Sequence, residues 1–219
     1  MNIVIIDYGV GNRTSVRHAF ERLGVATGLS ADPDRIRSAD AVVLPGVGSA
    51  GPAQAALKAQ GLDAVITGLQ QPVLGICLGM QLLADYLEED DAPGLGILNG
   101  SVIHLQRWAS HGSLPPEKAA TAGARIPHMG WAPLNAVDAD GFTDPLLQGI
   151  VPGDAVYFAH SYALQDVQHA LALTRHGDLL FPSVVRIRNF WGCQFHPEKS
   201  SLVGARVLSN FLAIVQNKK

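Results

Sequence analysis

The sequence lacks the features that mark several large classes of protein. Its 219 residues carry a formal net charge of −3 and no cluster of lysine and arginine, which argues against a nucleic-acid partner. No stretch approaches the roughly 18 uninterrupted apolar residues of a membrane helix, and the first residues lack the basic segment of a signal peptide. Two cysteines do not make a disulfide framework, so we expect a cytoplasmic protein with reduced thiols.

The chain does have enough apolar sequence for a large core. Apolar residues make up 47% of it and charged residues 16%. A chain of this length more often folds as one domain than as two. We therefore expect a single domain over residues 1–219.

The first half alternates short apolar segments with glycine-bearing loops and helical patterns. The spacing of Val16, Ala19, Phe20 and Leu23 marks one face of a helix that Gly24 ends, and residues 53–69 suit one or two more helices. The expected strands are residues 2–7, 25–29, 41–44 and 73–76. This alternation is typical of an open, mostly parallel sheet with helices on both faces, whose ligands bind at the carboxyl ends of the strands.

The second half is predicted to extend this sheet with shorter antiparallel strands. They are expected within residues 96–105, 125–131, 155–162, 171–174, 183–188 and 190–195. Residues 108–124 are rich in Pro, Gly, Ser and Ala, which predicts a surface loop. A last helix is expected to start at Ser201 as its N-cap. It would bury one face formed by Val203, Val207, Leu208, Phe211, Leu212 and Val215.

An apolar strand that stops at a cysteine between two glycines is the strongest candidate for a reactive site. Gly75 and Gly79 lie two positions either side of Cys77, the spacing of a nucleophile elbow, in which a strained turn exposes the side chain above the strand ends. Residues 80–87 are strong helix formers, so the positive end of a helix dipole would favour the thiolate. The alternative is a structural cysteine, because cysteine is among the most buried residue types.

A cysteine nucleophile needs a base, and the segment after the last predicted strand offers one. Pro197 pushes His196 toward an extended conformation, from which the imidazole can project. Glu198 could then accept the Nδ1 proton and hold the tautomer, although a histidine beside a glutamate is more often solvated. The competing zinc site of Cys77, Cys193 and His196 has no close-spaced ligand pair to support it. We expect no metal and no cofactor.

These two segments resemble the class I, triad-type glutamine amidotransferases, and the resemblance covers nearly the whole chain. Further motifs resemble the glutaminase subunits of imidazole glycerol phosphate synthase, in histidine biosynthesis. The motifs are GICLGMQ at 75–81, QFHPE at 194–198, DYGVGN at 7–12, PGVG at 45–48, PHMGW at 127–131, HSY at 160–162 and HPEKS at 196–200. The glutaminase subunit of pyridoxal phosphate synthase, which would lack the Pro45 and Met129 motifs, is one alternative. A catalytically silent subunit of the same fold is another, although such relatives usually lack a triad member.

The resemblance implies a flavodoxin-like fold and a Cys-His-Glu triad that hydrolyses L-glutamine. Cys77 attacks the side-chain carboxamide, His196 passes a proton to the departing ammonia, Glu198 orients His196, and water hydrolyses the γ-glutamyl thioester. Backbone N–H groups of Leu78 and Val47 would form the oxyanion hole, which is switched in the family. The implied substrate-binding positions are Gly46, Gln81, His160, Ser161 and Tyr162. For Gln81 the alternative is a helix-surface amide.

The resemblance also implies a partner. The family's second subunit is a (β/α)8-barrel cyclase that takes up the ammonia through a tunnel in a heterodimer and makes imidazole glycerol phosphate and an aminoimidazole ribotide. The implied interface residues are Asn12, Trp131, Tyr157 and Lys199. Trp131 could instead be a core aromatic residue, and Lys199 an ordinary surface charge. Ala132, where the family commonly has a polar Asn, departs from the interface pattern.

Overall fold

The structure is a computed structural model that describes residues 1–111 and 124–217. Its strands are β1 (Ile3–Ile6), β2 (Thr27–Ser30), β3 (Ala41–Gly46), β4 (Val73–Cys77), β5 (Ala84–Leu87), β6 (Ala92–Pro93), β7 (Leu98–His104), β8 (His128–Pro133), β9 (Asn135–Ala136), β10 (Ala155–His160), β11 (Tyr162–Leu164), β12 (Ala170–His176), β13 (Leu179–Ile187) and β14 (Phe190–Cys193). Its helices are α1 (Arg13–Arg22), α2 (Pro33–Arg37), α3 (Ala50–Ala59), α4 (Leu62–Thr67), α5 (Leu78–Gln81), α6 (Leu105–His111) and α7 (Ser201–Gln216), with 3₁₀ turns at Glu89–Asp91, Pro145–Leu147 and Pro197–Lys199.

An eight-stranded sheet in the order β2-β1-β3-β4-β14-β13-β12-β9 runs through the centre of the fold. The first five strands are parallel, and β13, β12 and β9 continue the sheet antiparallel. The predicted fold class, a mostly parallel sheet with helices and an antiparallel extension, is confirmed. Because β1, β3, β4 and β14 are parallel, the segments that follow them meet at one edge.

Strand β14 corrects one sequence prediction. It was expected among the antiparallel strands, but it pairs parallel with β4, with Cys193 opposite Ile76. The reason is that the chain returns from β13 to the middle of the sheet. As a result His196, three residues after β14, reaches the same edge as Cys77.

Two small sheets lie outside the central one, so the second half does not simply extend it. Strands β8 and β10 form an antiparallel pair, and the other sheet has the order β11-β7-β5-β6. The segment predicted as one strand over residues 155–162 is therefore two strands in different sheets, separated at Ser161. The break between β10 and β11 therefore falls within the HSY motif, which is predicted to bind the substrate.

The central sheet is buried on both faces. In β1, Ile3 and Ile5 belong to one apolar layer together with side chains of α1 and α7, and Val4 and Ile6 belong to the opposite layer with α3 and α4. All four are at most 1% exposed. This is why β1 is a continuous apolar run and does not alternate with polar residues.

Three predicted elements differ from the structure. The helix expected over residues 80–87 ends at Gln81, because β5 pairs with β7 instead, and tertiary pairing overrides helix propensity. The cap of α7 is Ser200 and not Ser201, and its hydroxyl makes no capping bond to the helix. Trp108 lies in α6, and residues 112–123 of the predicted loop lie outside the described residues. No helix within residues 1–111 and 124–217 is long and apolar enough to cross a bilayer.

Candidate active site

Cys77 sits on a strained turn at the end of β4. Its φ of 53° and ψ of −111° are unusual for a residue with a side chain. The neighbouring glycines permit this turn, since a Cβ at Gly79 would collide with the carbonyl oxygen of Leu44, and one at Gly75 would lie 2.6 Å from the carbonyl oxygen of Gly79. The elbow geometry predicted from the spacing is therefore present, with Cys77 6% exposed.

The loop after β3 lies directly over the elbow. Gly46 is paired with Cys77, and a Cβ on it would lie 2.6 Å from the backbone nitrogen of Gly79. Leu78 is the first residue of α5, where an N–H has no partner within the helix. Val47 follows Gly46 at the cavity wall. Because α5 has only four residues, the expected support of a long helix dipole for the thiolate is lost.

His196 and Glu198 form a buried pair beside Cys77. His196 Nδ1 lies 2.9 Å from Glu198 Oε1, and the two side chains are 3% and 1% exposed. With Nδ1 donating to the carboxylate, Nε2 remains for the hydrogen bond between the ring and Cys77. Burial works against a charged imidazole, but hydrogen bonds with Cys77 and Glu198 and the negative charges of both groups raise the pKa of His196 to about 9.

Three hydrogen bonds hold the backbone of His196, one of them from the Lys199 N–H to the His196 carbonyl at 3.0 Å. The His196 N–H donates to the Tyr157 carbonyl at 2.9 Å, and its carbonyl accepts from the Ser200 hydroxyl at 2.7 Å. The Ser200 hydroxyl also accepts from the Tyr157 N–H at 2.9 Å. Ser200 therefore fixes the loop of His196, where the sequence had predicted a helix cap one residue later.

Gln81 is buried, and both N–H groups of its side-chain amide donate hydrogen bonds. Nε2 donates to the Tyr162 carbonyl at 2.7 Å and to Gln194 Oε1 at 3.0 Å. The side chain is 5% exposed, so the alternative of a helix-surface amide is wrong. Only the Gln81 oxygen is left as a hydrogen-bonding atom for a ligand.

A cavity of about 360 Å³ lies in front of Cys77 and His196, at the lower end of the range for small-molecule sites. It is lined by Val47, Gly48, Cys77, Leu78, Gln81, Glu89, Pro127, Met129, Ala159, His160, Ser161, Tyr162, His196 and Lys199. Most predicted site residues thus meet at one cavity. Gly46 packs against the elbow and Glu198 lies on the far side of the His196 ring from Cys77, and neither lines the cavity.

His160 reaches the cavity as a neutral imidazole. Its Nδ1 lies 2.8 Å from the Tyr162 carbonyl, and its Nε2 lies 3.1 Å from Nδ1 of His128. Burial lowers the pKa of His160 to about 3 and that of His128 to about 4. A carbonyl can only accept, so His160 carries its proton on Nδ1. The fixed ring holds the Ser161 turn between β10 and β11.

Glu89 is a cavity residue that sequence reasoning missed. It lies in the 3₁₀ turn after β5, and its Oε2 accepts from the Ala50 N–H at 2.9 Å. Burial raises the pKa of its carboxyl group, and the bond from Ala50 opposes this. The only signal in the sequence is the acidic run of residues 88–91 shortly after the elbow.

A partly exposed group of side chains from β8, β10 and the turn after His196 adjoins the cavity, whose wall includes Met129 and Lys199. Met129 is 65% and Trp131 54% exposed. The Trp131 and Tyr157 rings are 6.1 Å apart, and Lys199 Nζ lies 6.0 Å from the centre of the Tyr157 ring. We call Met129, Trp131, Tyr157 and Lys199 the aromatic face. Trp131 is therefore not a core residue.

Asn12 lies outside the aromatic face but at the same edge of the central sheet. It precedes α1 and is half-buried. A Cβ on the adjacent Gly11 would contact the Pro45 backbone at 3.5 Å. The segment of Asn12 therefore packs against the end of β3, next to the elbow.

The geometry does not support the zinc alternative. Within the described part of the chain, no group of three or more His, Cys, Asp or Glu side chains is arranged to hold a metal ion. Cys193 is fully buried opposite Ile76, and burial raises the pKa of its thiol.

Comparisons with known proteins agree with this geometry. Residues 4–215 match the family model described as "Glutamine amidotransferase class-I". The chain is 43% identical over 212 residues to imidazole glycerol phosphate synthase subunit HisH 2 of Legionella pneumophila, covering 97% of this chain and 98% of the relative. It is 40% identical to subunit HisH of Haemophilus influenzae, covering 97% of each.

Solved structures show the same fold at low identity. A putative GMP synthase protein from Thermoplasma acidophilum matches with a TM-score of 0.70 and 19% identity, covering 100% of this chain and 95% of that one. A second structure, described as a glutamine amidotransferase, matches with a TM-score of 0.69 and 19% identity, covering 97% and 98%.

Proposed function

The chain belongs to the class I glutamine amidotransferase family and, within it, to the HisH subunits of imidazole glycerol phosphate synthase, and from this premise we propose that it works as a single-domain glutaminase subunit. It hydrolyses glutamine to glutamate and ammonia, and a cyclase partner uses the ammonia in histidine biosynthesis. The observation that carries the proposal is the His196–Glu198 pair, 2.9 Å apart and buried beside Cys77 at the cavity wall.

The proposed reaction has two halves. His196 Nε2 takes the thiol proton, and the Cys77 sulfur attacks the side-chain amide carbon of glutamine. The C–N bond breaks as His196 returns the proton to the nitrogen, and ammonia leaves a γ-glutamyl thioester. Water then attacks the thioester and gives a proton to His196, the C–S bond breaks, and that proton returns to the sulfur.

Both halves pass through an oxyanion on the former amide oxygen. The Leu78 N–H follows the nucleophile and is available at the start of α5. The second donor in the proposal is the Val47 N–H, because Gly46 holds this loop against the elbow. Gly46 therefore contributes by close packing and not by a side chain.

Polar groups of the cavity wall can bind the polar groups of glutamine. We assign the Glu89 carboxylate to the α-ammonium group, since opposite charges attract strongly in a partly buried site. The Ser161 turn, between neutral His160 and Tyr162, forms the opposing wall. The Gln81 oxygen can accept from the substrate, because both of its N–H groups are engaged elsewhere.

Glu89→Gln is expected to raise the KM for glutamine about 10- to 100-fold while changing kcat little. Glutamine at this position keeps an oxygen for the Ala50 N–H and removes only the charge. Steady-state glutaminase kinetics check this. The matched control is Asp91→Asn, in the same acidic run but outside the cavity. A KM that is equal in wild type and Glu89→Gln contradicts the assignment.

The aromatic face is proposed to bind the cyclase, a (β/α)8 barrel, in a heterodimer. Met129 and Lys199 belong both to this face and to the cavity wall, so ammonia leaving Cys77 emerges under the partner. Exposed apolar side chains with polar residues around them are typical of an interaction site. A covered exit matters, because free ammonia would take up a proton in water. Asn12 lies at the edge of this proposed contact.

Trp131→Ala is expected to weaken binding of the cyclase by at least about 2 kcal/mol, as for a central aromatic residue of an interface. Glutaminase activity of the isolated chain should change little. Titration calorimetry with the purified cyclase measures the binding. Val167→Ala, which removes a 51%-exposed side chain beyond the far end of β11, is the control.

The whole proposal is tested by glutamate release with and without a cyclase and its nucleotide ligand. The expected result is weak release by this chain on its own and strong stimulation by both additions together. Glutamine-dependent cyclase turnover should match glutamate release one to one. Co-purification with the barrel of pyridoxal phosphate synthase in place of this cyclase would contradict the proposal.

A further inference from the structure

Gln194 is a fully buried amide that touches the nucleophile. It lies between β14 and His196, with 0% of its surface exposed. Its Nε2 donates to Cys77 Sγ at 3.8 Å, and its Oε1 accepts from Gln81 Nε2 at 3.0 Å. The triad does not account for this contact. From the sequence, Gln194 is only the first residue of the QFHPE motif.

The orientation of the Gln194 amide follows from its neighbours. The Tyr162 carbonyl can only accept, so Gln81 must present its nitrogen there. The same nitrogen faces Gln194, which must therefore present its oxygen to Gln81. The remaining end of the Gln194 amide is the NH₂ group, and it faces the sulfur. A chain of three groups thus fixes an N–H donor on Cys77.

The sulfur has donors and an acceptor around it. Gln194 donates to it, His196 donates to it once Nε2 is protonated, and both bonds are stronger when the sulfur is ionised. The Ala159 carbonyl, 4.0 Å away, can only accept a bond from the thiol. Since α5 is too short to contribute a full helix dipole, fixed donors decide how easily the thiolate forms.

We propose that Gln194 is a further catalytic residue, whose N–H stabilises the negative charge on the Cys77 sulfur. The His196 proton moves during the reaction, whereas an amide donor does not titrate. Gln194 therefore supports the sulfur before it attacks the amide carbon and again when the C–S bond of the thioester breaks. The inference rests on the proposed function for its role in turnover, but not for its effect on the thiol.

The test is the pH dependence of Cys77 alkylation by iodoacetamide in Gln194→Met, which has a similar volume and no N–H. The pH midpoint of alkylation is expected to rise by about one unit, as loss of one hydrogen bond to a charged group predicts. The expected fall in kcat is about tenfold or more. The matched control is Gln54→Met, which replaces another buried glutamine, on α3, away from the cavity.

A second variant keeps the test decisive if Gln194→Met does not fold. Gln81→Met leaves the Gln194 amide in place but frees it to turn its oxygen toward the sulfur, so the alkylation midpoint should also rise. Unchanged midpoints in the folded variants would overturn the inference, whatever their activity. Shifted midpoints in the variants together with a wild-type protein that releases no glutamate, even with the cyclase and its ligand, would instead overturn the proposed function and leave this inference standing.

Discussion

Cys77→Ala is expected to lower glutamate release by about 10⁴-fold or more, to the background that binding and fixed donors give without a nucleophile. The sulfur is the atom that forms the thioester, and in the described structure no other thiol lines the cavity. The loss should be in kcat and not in folding, because alanine meets the same backbone strain at a φ of 53° as cysteine does. Single-turnover and steady-state assays of glutamate release measure it.

The control for Cys77→Ala is the same substitution at Cys193. That side chain is fully buried in β14 and contributes no surface to the cavity, so Cys193→Ala should keep the activity at a modest cost in stability. A glutamine analogue of the 6-diazo-5-oxo-norleucine type should label wild type and Cys193→Ala but not Cys77→Ala. Full turnover in Cys77→Ala, or an unlabelled wild type, would support the silent-subunit alternative.

The parts of the site that the sequence predicts are those that depend on local geometry. The spacing of Gly75, Cys77 and Gly79 specifies a turn that only glycines permit, and the structure contains that turn. The pairing of His196 with Glu198 needs only a two-residue separation and an extended residue before proline. Local steric rules suffice for both.

Bringing these two local units together depends on contacts distant in sequence. The parallel pairing of β14 with β4 carries His196 to Cys77, and the strand patterns predicted an antiparallel neighbour instead. Strand patterning indicates which residues are buried but not which strand pairs with which. The chemical need of a cysteine nucleophile for a base, and then the family resemblance, connect the two motifs, whereas periodicity does not.

A single wrong prediction explains why Glu89 was missed. The helix formers after Met80 predict a helix through residue 87, which would place the acidic run far along a helix. In the structure the chain turns at Leu82, β5 pairs with β7, and the following 3₁₀ turn brings Glu89 to the N-terminus of α3. The pairing of β5 with β7, which the local sequence does not predict, therefore places Glu89 in the cavity wall.

Glu198→Gln is expected to lower kcat by about 10²- to 10⁴-fold, by analogy with amide replacement of the third member of other triads. Its more specific signature is in pH dependence. The negative charges and hydrogen bonds of Cys77 and Glu198 outweigh burial and raise the pKa of His196 to about 9. Removing one of those charges must lower that pKa.

The sign of the pH effect follows from the role of His196 as the acid that protonates departing ammonia. Turnover needs the protonated ring at that step, so kcat falls as pH rises through the pKa of His196. With that pKa lowered in Glu198→Gln, the alkaline fall in kcat should move to lower pH, by about one unit or more for loss of an adjacent charge. A kcat–pH profile at saturating glutamine measures both effects.

Glu198→Gln is a sharp test because the structure allows it to remove charge with little change in shape. The amide oxygen can stay on His196 Nδ1, while the amide nitrogen takes the place of Oε2, which has no hydrogen-bond partner within the described residues. Glu21→Gln, an exposed carboxylate on α1, is the control for a general loss of charge. If the alkaline fall in kcat stays where it is in wild type, Glu198 orients His196 without tuning its charge, and the electrostatic part of the mechanism is wrong.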